Sequence, residues 1–488
     1  MKKVLCLLLS FLMIVSLATS ISAGIVINKN PYSTYDEASL DNAIPEGYSK
    51  SGKCGDDAYW AYYEDSKTLV IGGEGRVSTG AYSTQHEYAE LPFEKAVVLE
   101  GITELMDNAF TRCSSLKEVT LPDSLKKIYN YTFFECKNLK SVTIPKNVEL
   151  IGIGLFYYCD ALEELRVDED NPVFDSRDNC NAIIHTETNS LRVGIRTTTF
   201  PESVTAIGGA AFAGVSGLTQ VVIPDTVTEI YGRVFTECKD LKRVFLSSNA
   251  KTVVENMFDR CDNLEYVLIP EGVETISVYA FAGCTKLDNV TIPKSVKNIY
   301  QSAFSGCTSL KSIAINDGVE LLGPMAFSGC TSLEIVSLPA SVKKIQPHAF
   351  ANCTALKAVI INNAQCEIDD RDMTFPESAV IYGHKDSTAQ AYAKKYSRTF
   401  KPLNEAPQPP KPEVYEKPFV PSGPTGVIGD VDFDGVMSVM DATEIQMVLA
   451  QIKNWKYNGC DTQADVDNDN TVSVMDATEI QLILAGLR

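Results

Sequence analysis

The chain has 488 residues, 43 basic and 63 acidic, for a formal net charge of −20. That balance disfavours nucleic acid as a partner, and the length accommodates about three domains. Fourteen cysteines in an exported chain would ordinarily read as a disulfide framework; their positions say otherwise.

The N-terminus, MKKVLCLLLSFLMIVSLATSISA, sets Lys2 and Lys3 before an apolar run from Val4 to about Leu17 and then small residues. This is the layout of a secretory signal, residues 1–23, with cleavage expected between Ser20 and Gly24. Cys6 stands at the start of the apolar run, not its end, which argues against a lipoprotein. No later stretch reaches the roughly eighteen apolar residues of a membrane span, so a secreted chain with no span is expected.

Beyond a β-rich N-terminal segment, residues 24–96, the phrase AFSGCTSL recurs with variations. It places Phe at 110, 133, 156, 212, 235, 258, 281, 304, 327 and 350, in steps of 23 with one step of 56, which is 23 plus a 33-residue insertion. A fixed short period means stacked units that bury a continuous core between neighbours. In the unit from Leu287, Val290 and Ile292 point inward and Thr291 outward, because side chains alternate along a strand. Pro293 ends the strand, residues 296–299 give a second extended segment, and AFSGC reads as one helical turn. Coils about 4.8 Å apart predict an elongated, curved rod over residues 97–404, with the insertion near 168–200.

Nine cysteines (113, 136, 159, 238, 261, 284, 307, 330, 353) share one position of the unit, and Val215 replaces them in the tenth. The site therefore wants a small apolar group. Neighbours on such a ladder point the same way, which is poor disulfide geometry, so a buried, reduced spine is expected. Cys54, Cys180, Cys366 and Cys460 lie outside it, and the sequence leaves their redox state open.

The repeat resembles the BspA-type leucine-rich repeats of bacterial surface proteins, roughly from Val97 to Leu403. Three flanking stretches resemble the same proteins: Cys54–Gly75 their strand-rich cap, Asn171–Val193 their hairpin insertion around a polar ETNS turn, and Ala379–Tyr396 their closing strand and helix. The resemblance implies adhesion or protein interaction, with a protein or glycan ligand that the repeats do not specify. The outward column equivalent to Thr291 is mostly polar or small, but reads Val222, Phe245 and Leu268 on three successive coils; the column equivalent to Asn289 contributes Gln220, Arg243 and Tyr266 there. Arg, Tyr and Phe are favoured at interfaces, which makes Arg243, Phe245, Tyr266 and Leu268 the candidate ligand surface. The competing reading is that the cap or the insertion covers these coils.

Residues 405–426 hold seven prolines and read as an extended linker. After it, DVDFDGVMSVMDATEIQMVLA and DVDNDNTVSVMDATEIQLILA repeat one acidic phrase. Asp430, Asp432, Asp434 and Asp441, and in the second copy Asp465, Asp467, Asp469 and Asp476, hold positions 1, 3, 5 and 12 of a calcium loop, with the carbonyls of Val436 and Thr471 at position 7 and Ser438 and Ser473 at position 9. Two Ca2+ ions are expected, and without them the crowded carboxylates repel one another. The prolines forbid the helix that precedes an EF-hand loop. Loop-then-helix, twice, resembles a type I dockerin from Gly429 to Arg488, within a domain of residues 427–488. That resemblance implies docking on a cohesin module of a cellulosomal scaffoldin through Val439, Met440 and Met447, or equivalently Val474, Met475 and Leu482, and a location outside the cell, in a cellulosome or at a cell surface.

No residue set suggests catalysis. The histidines, at 86, 185, 348 and 384, stand in four separate contexts, HEYAE lacks the second histidine of a zinc helix, and no G-x-S-x-G frame occurs. The alternative is a polysaccharide hydrolase whose carboxylate pair hides in the cap or insertion. The fold class expected is mixed α/β: a leucine-rich-repeat solenoid of short strands and helical turns, a β-rich cap and a small all-α, calcium-binding dockerin.

Overall fold

A computed structural model describes residues 43–78 and 86–408. The signal peptide and the dockerin, with every calcium and cohesin position named above, lie outside the described residues.

The cap is an antiparallel meander of Lys50–Lys53, Asp57–Tyr63 and Thr68–Val77. Its last strand templates the whole stack. Thr68–Ile71 pairs in parallel with Lys95–Val98, and Gly75–Val77 pairs with Ile102–Leu105, so one ten-residue strand starts both ribbons of the solenoid. The strand changes ribbon at Gly73, where φ is +100° and a Cβ would stand 2.1 Å from the Asp57 carbonyl oxygen; only glycine fits there.

Each coil then adds one short strand to a front ribbon and a two-residue strand to a back ribbon, in parallel register at 23-residue steps. Asn289 pairs with Ser312 in front and Asn298 with Leu321 behind. The AFSGC segment is not a helical turn. Tyr279 and Gly283 have φ of +56° and +73°, which no helix tolerates. Within the segment, alternate N–H groups bond inside the coil and across to the next: Ala280 to Ser277 O and Cys284 to Phe281 O, but Phe281 to Ala303 O and Gly283 to Ser305 O. Inter-coil bonds replace the i−4 bonds of a helix, so the mixed α/β class gives way to a β-solenoid with little helix. Among the described residues the α-helix is Thr388–Lys395, capped by Ser387 Oγ and burying Ala389, Tyr392 and Ala393 against the last coil.

Inside, the phenylalanines stack face to face, 5.0 Å apart for Phe281 and Phe304 and 5.3 Å for Phe327 and Phe350. Tyr88 closes one end of the stack and Tyr392 the other. The cysteines line the same core as free thiols. From Cys136 onward each ladder cysteine donates its S–H to the carbonyl of the preceding coil's phenylalanine, 3.0 Å for Cys136 to Phe110 and 3.2 Å for Cys330 to Phe304. A thiol thus supplies both a small apolar volume and a weak inter-coil bond.

The insertion divides this core. Its hairpin, Ala182–His185 with Ser190–Gly194, stands in the stack between the coils of Phe156 and Phe212 and is buried on both faces. Ala182, Ile184 and Leu191 join the core of the later coils, while Ile183, Val193 and Ile195 join the core of the earlier ones. Strand alternation sends Ile183 to the opposite side from Ala182 and Ile184, and the bulge where Ile183 and Ile184 pair with Val193 and Leu191 lets Val193 and Leu191 face opposite sides as well, so the hairpin is a two-sided plate. It pairs through Ser190 and Leu191 with Ala206 and Ile207, continuing the back ribbon of the second block. Val215 belongs to the first coil of that block, whose thiol position, like that of Cys113, has no earlier phenylalanine of its own stack to bond.

Candidate functional site

Front strands Gln220–Val222, Arg243–Phe245 and Tyr266–Leu268 form one parallel three-stranded sheet. Register sets Gln220, Arg243 and Tyr266 in one row and Val222, Phe245 and Leu268 in the next. The residues between them, Val221, Val244 and Val267, are buried in the core, which leaves both rows on the outer side. Arg243, Phe245, Tyr266 and Leu268 are therefore contiguous. The Phe245 and Tyr266 rings lie 5.9 Å apart, tilted by 51°.

Exposure in this group is lower than simple alternation predicts. Phe245 is 6 % exposed although it stands apart from the core cluster, and Arg243, Tyr266 and Leu268 are half-buried. Burial also raises the Tyr266 phenol pKa, which keeps it a neutral donor and acceptor at physiological pH. The insertion, read earlier as a possible cover for these coils, is instead the internal plate.

The described residues hold no group of three or more His, Cys, Asp or Glu arranged to bind a metal ion. His86 is buried and stacked 4.6 Å from Tyr88, and burial lowers its pKa to about 4. His185 faces Thr188, and His384 Nε2 lies 3.1 Å from the Asn362 carbonyl. Cys54, Cys180 and Cys366, whose state the sequence left open, are buried free thiols like the ladder cysteines. Burial pushes the Cys307 and Cys366 thiols up to about 12, far from the thiolate a nucleophile requires. No described helix is long and apolar enough to cross a membrane.

One group escaped the sequence reading. Tyr279, Tyr300 and Met325 are exposed at the coil edge, where a left-handed residue interrupts the simple in-out alternation. Tyr279 and Met325 directly precede the Ala-Phe pair of their coils, whereas Tyr300 directly follows the back strand Asn298–Ile299.

Comparison with known proteins gives one family match. The family model described as BspA type leucine rich repeat region matches in six copies over residues 84–181, 191–308 and 274–375. Among solved structures, the chain is similar to a leucine-rich repeat protein from Eubacterium ventriosum, with 20 % identity and a TM-score of 0.40 over 57 % of this chain and 94 % of that one. It is also similar to the pneumococcal vaccine antigen PcpA, with 16 % identity and a TM-score of 0.47 over 73 % and 99 %. A third, from Bacteroides ovatus, has 21 % identity and a TM-score of 0.36 over 71 % and 98 %. No curated protein matches.

Proposed function

The chain belongs to the BspA-type leucine-rich repeat family, and from that premise we propose a secreted, non-catalytic binding and adhesion protein. The observation that carries this reading is the in-register group Arg243, Phe245, Tyr266 and Leu268 on the front ribbon. A repeated strand face is a long surface for a large partner, and Tyr, Phe and Arg concentrate binding energy. The partner is a protein or glycan of a cell envelope. Pull-down with the full chain against envelope fractions tests the surface: Arg243→Ala with Tyr266→Ala, at the two half-buried positions of one row, weakens capture while the thermal midpoint stays nearly constant. A fall of many degrees in that midpoint rejects the assignment.

The duplicated aspartate loops support a second part of the reading, a dockerin that folds on two Ca2+ ions and docks on a cohesin. The donor set fits a hard cation: carboxylates, a serine hydroxyl and a backbone carbonyl in each loop, all oxygen. Asp430, Asp432, Asp434, Val436, Ser438 and Asp441 would hold one ion, and their counterparts from Asp465 to Asp476 the other. Circular dichroism of residues 427–488 then gains helix when calcium replaces chelator, and full helicity in chelator rejects the calcium requirement. Near-identity of the two helices gives two docking orientations. Substituting either Val439, Met440 and Met447 or Val474, Met475 and Leu482 barely weakens cohesin binding, and substituting both sets abolishes it.

A further inference from the structure

Beyond the back strand, four successive coils present a three-residue edge, residues 277–279, 300–302, 323–325 and 346–348, bounded by Glu255 on the coil before them and by Asp369, Asp370 and Arg371 on the coil after. None of these positions holds a carboxylate, lysine or arginine. That is unusual in a chain of net charge −20, whose back ribbon alongside pairs Glu274 with Lys297, Glu320 with Lys343 and Lys344 with Glu367. The edge instead exposes 38 % of Tyr279, 38 % of Tyr300 and 42 % of Met325, with Gln301 exposed among them.

Backbone geometry holds this composition outward. Tyr279 and Met325 have φ of +56° and +54°, and their N–H groups donate to the Gln301 and Pro347 carbonyls of the following coil, so neither residue follows Ala280 or Ala326 into the core. Gln301 Nε2 donates to Tyr279 Oη at 3.3 Å. The phenol proton and Gln301 Oε1 remain for an outside partner. On the coil after Tyr300 the matching residue is Gly323, where a Cβ would come within 2.6 Å of the Tyr300 backbone. The close approach demands glycine and leaves no side chain above Tyr300 on that side.

We propose that this edge binds an uncharged polysaccharide, on a surface separate from the front ribbon. The absence of charge offers no complement to a polyanion or a charged peptide. Tyrosine rings present π faces to the C–H faces of pyranose rings, and the amide and phenol match sugar hydroxyls. Beneath these coils the phenylalanines stack at 5.0, 5.2 and 5.3 Å, which sets the rise from coil to coil along the edge; Tyr279 and Tyr300 stand on adjacent coils at different positions of the unit, in register with Ser302 and Ser277 respectively. A ligand that repeats can then meet several coils, and weak contacts combine.

Native electrophoresis of the full chain through gels containing hydroxyethylcellulose, galactomannan or polygalacturonate tests this. Retardation is expected in at least one neutral gel, insensitive to added salt. Tyr279→Ala with Tyr300→Ala weakens it by about tenfold, Gln301→Glu weakens it without touching the core, and Tyr300→Phe largely retains it. The Arg243→Ala, Tyr266→Ala protein is still retarded, which separates this surface from the front ribbon. The proposal is overturned by retardation in polygalacturonate alone, by no retardation in either neutral gel, or by retardation that survives both the double alanine variant and Gln301→Glu. Capture of an envelope protein that is lost with the Tyr279 and Tyr300 substitutions, with no neutral-gel retardation, would reassign the edge to a protein partner.

Discussion

The two blocks on either side of the plate use the same coil but end it differently. The first runs from the cap through Phe156, and aromatic and polar cap residues close it: Trp60, Tyr88 and buried His86 around Phe110. The second runs from Phe212 to Phe375 as an unbroken stack and is closed by one short helix through Tyr392. Repetition gives each interior coil the same partners above and below, so stability there is a sum of near-identical interfaces. End structures carry the unusual groups, and sensitivity to conditions should concentrate in them.

A core truncation in the second block is the strongest way to test that separation. Phe304→Ala removes a ring stacked on both Phe281 and Phe327 and is expected to cost about 3–5 kcal/mol. If the plate insulates the blocks, scanning calorimetry or hydrogen exchange shows the second block destabilised and the first little changed. Equal loss of protection in both blocks makes the plate a continuous part of one core.

Acid should act in the opposite direction, on the first block. Burial holds His86 neutral, with its pKa lowered from 6.5 to about 4, while the unfolded chain takes up the proton near 6.5. Between those values the unfolded state binds more protons, so stability is full above about pH 6.5 and falls as pH drops toward 4. The loss reaches roughly 3 kcal/mol. His86→Gln removes this dependence, and an unchanged pH profile in that variant would exclude His86 as its source.

Smaller effects test how uniform the interior coils are. Cys330→Val keeps an apolar volume but gives up the S–H bond to Phe304 O; Val215 shows the shape is tolerated, so a cost of about 1 kcal/mol is expected in chemical denaturation. Gly306→Ala, at φ +74°, should cost about 1 kcal/mol through left-handed strain. Breaking the exposed Lys343–Glu320 pair by Lys343→Ala should change stability by no more than about 0.5 kcal/mol.

Much of the fold could be read directly because the period is stiff. Inward Val290 and Ile292, exposed Thr291, the reduced cysteine ladder and the hairpin around Glu187 all follow from alternation and spacing. AFSGC reads locally as one helical turn, but Phe, Ser, Gly and Cys are poor helix formers and its hydrogen bonds to the next coil are invisible in a local window. The candidate ligand group was legible as a row but not in its burial: Phe245 stands on the outer side and is nonetheless 6 % exposed.

Sequence by itself determined the coil length and the residues that face inward, because each depends only on spacing along the chain; the stack runs one unit past the ten repeats, to Phe375. Tertiary structure decided that the insertion is a plate between two cores and that Tyr279, Tyr300 and Met325 line a charge-free edge. Both depend on which backbone groups meet across coils, where positive φ values and parallel pairing turn side chains in directions that no local alternation encodes.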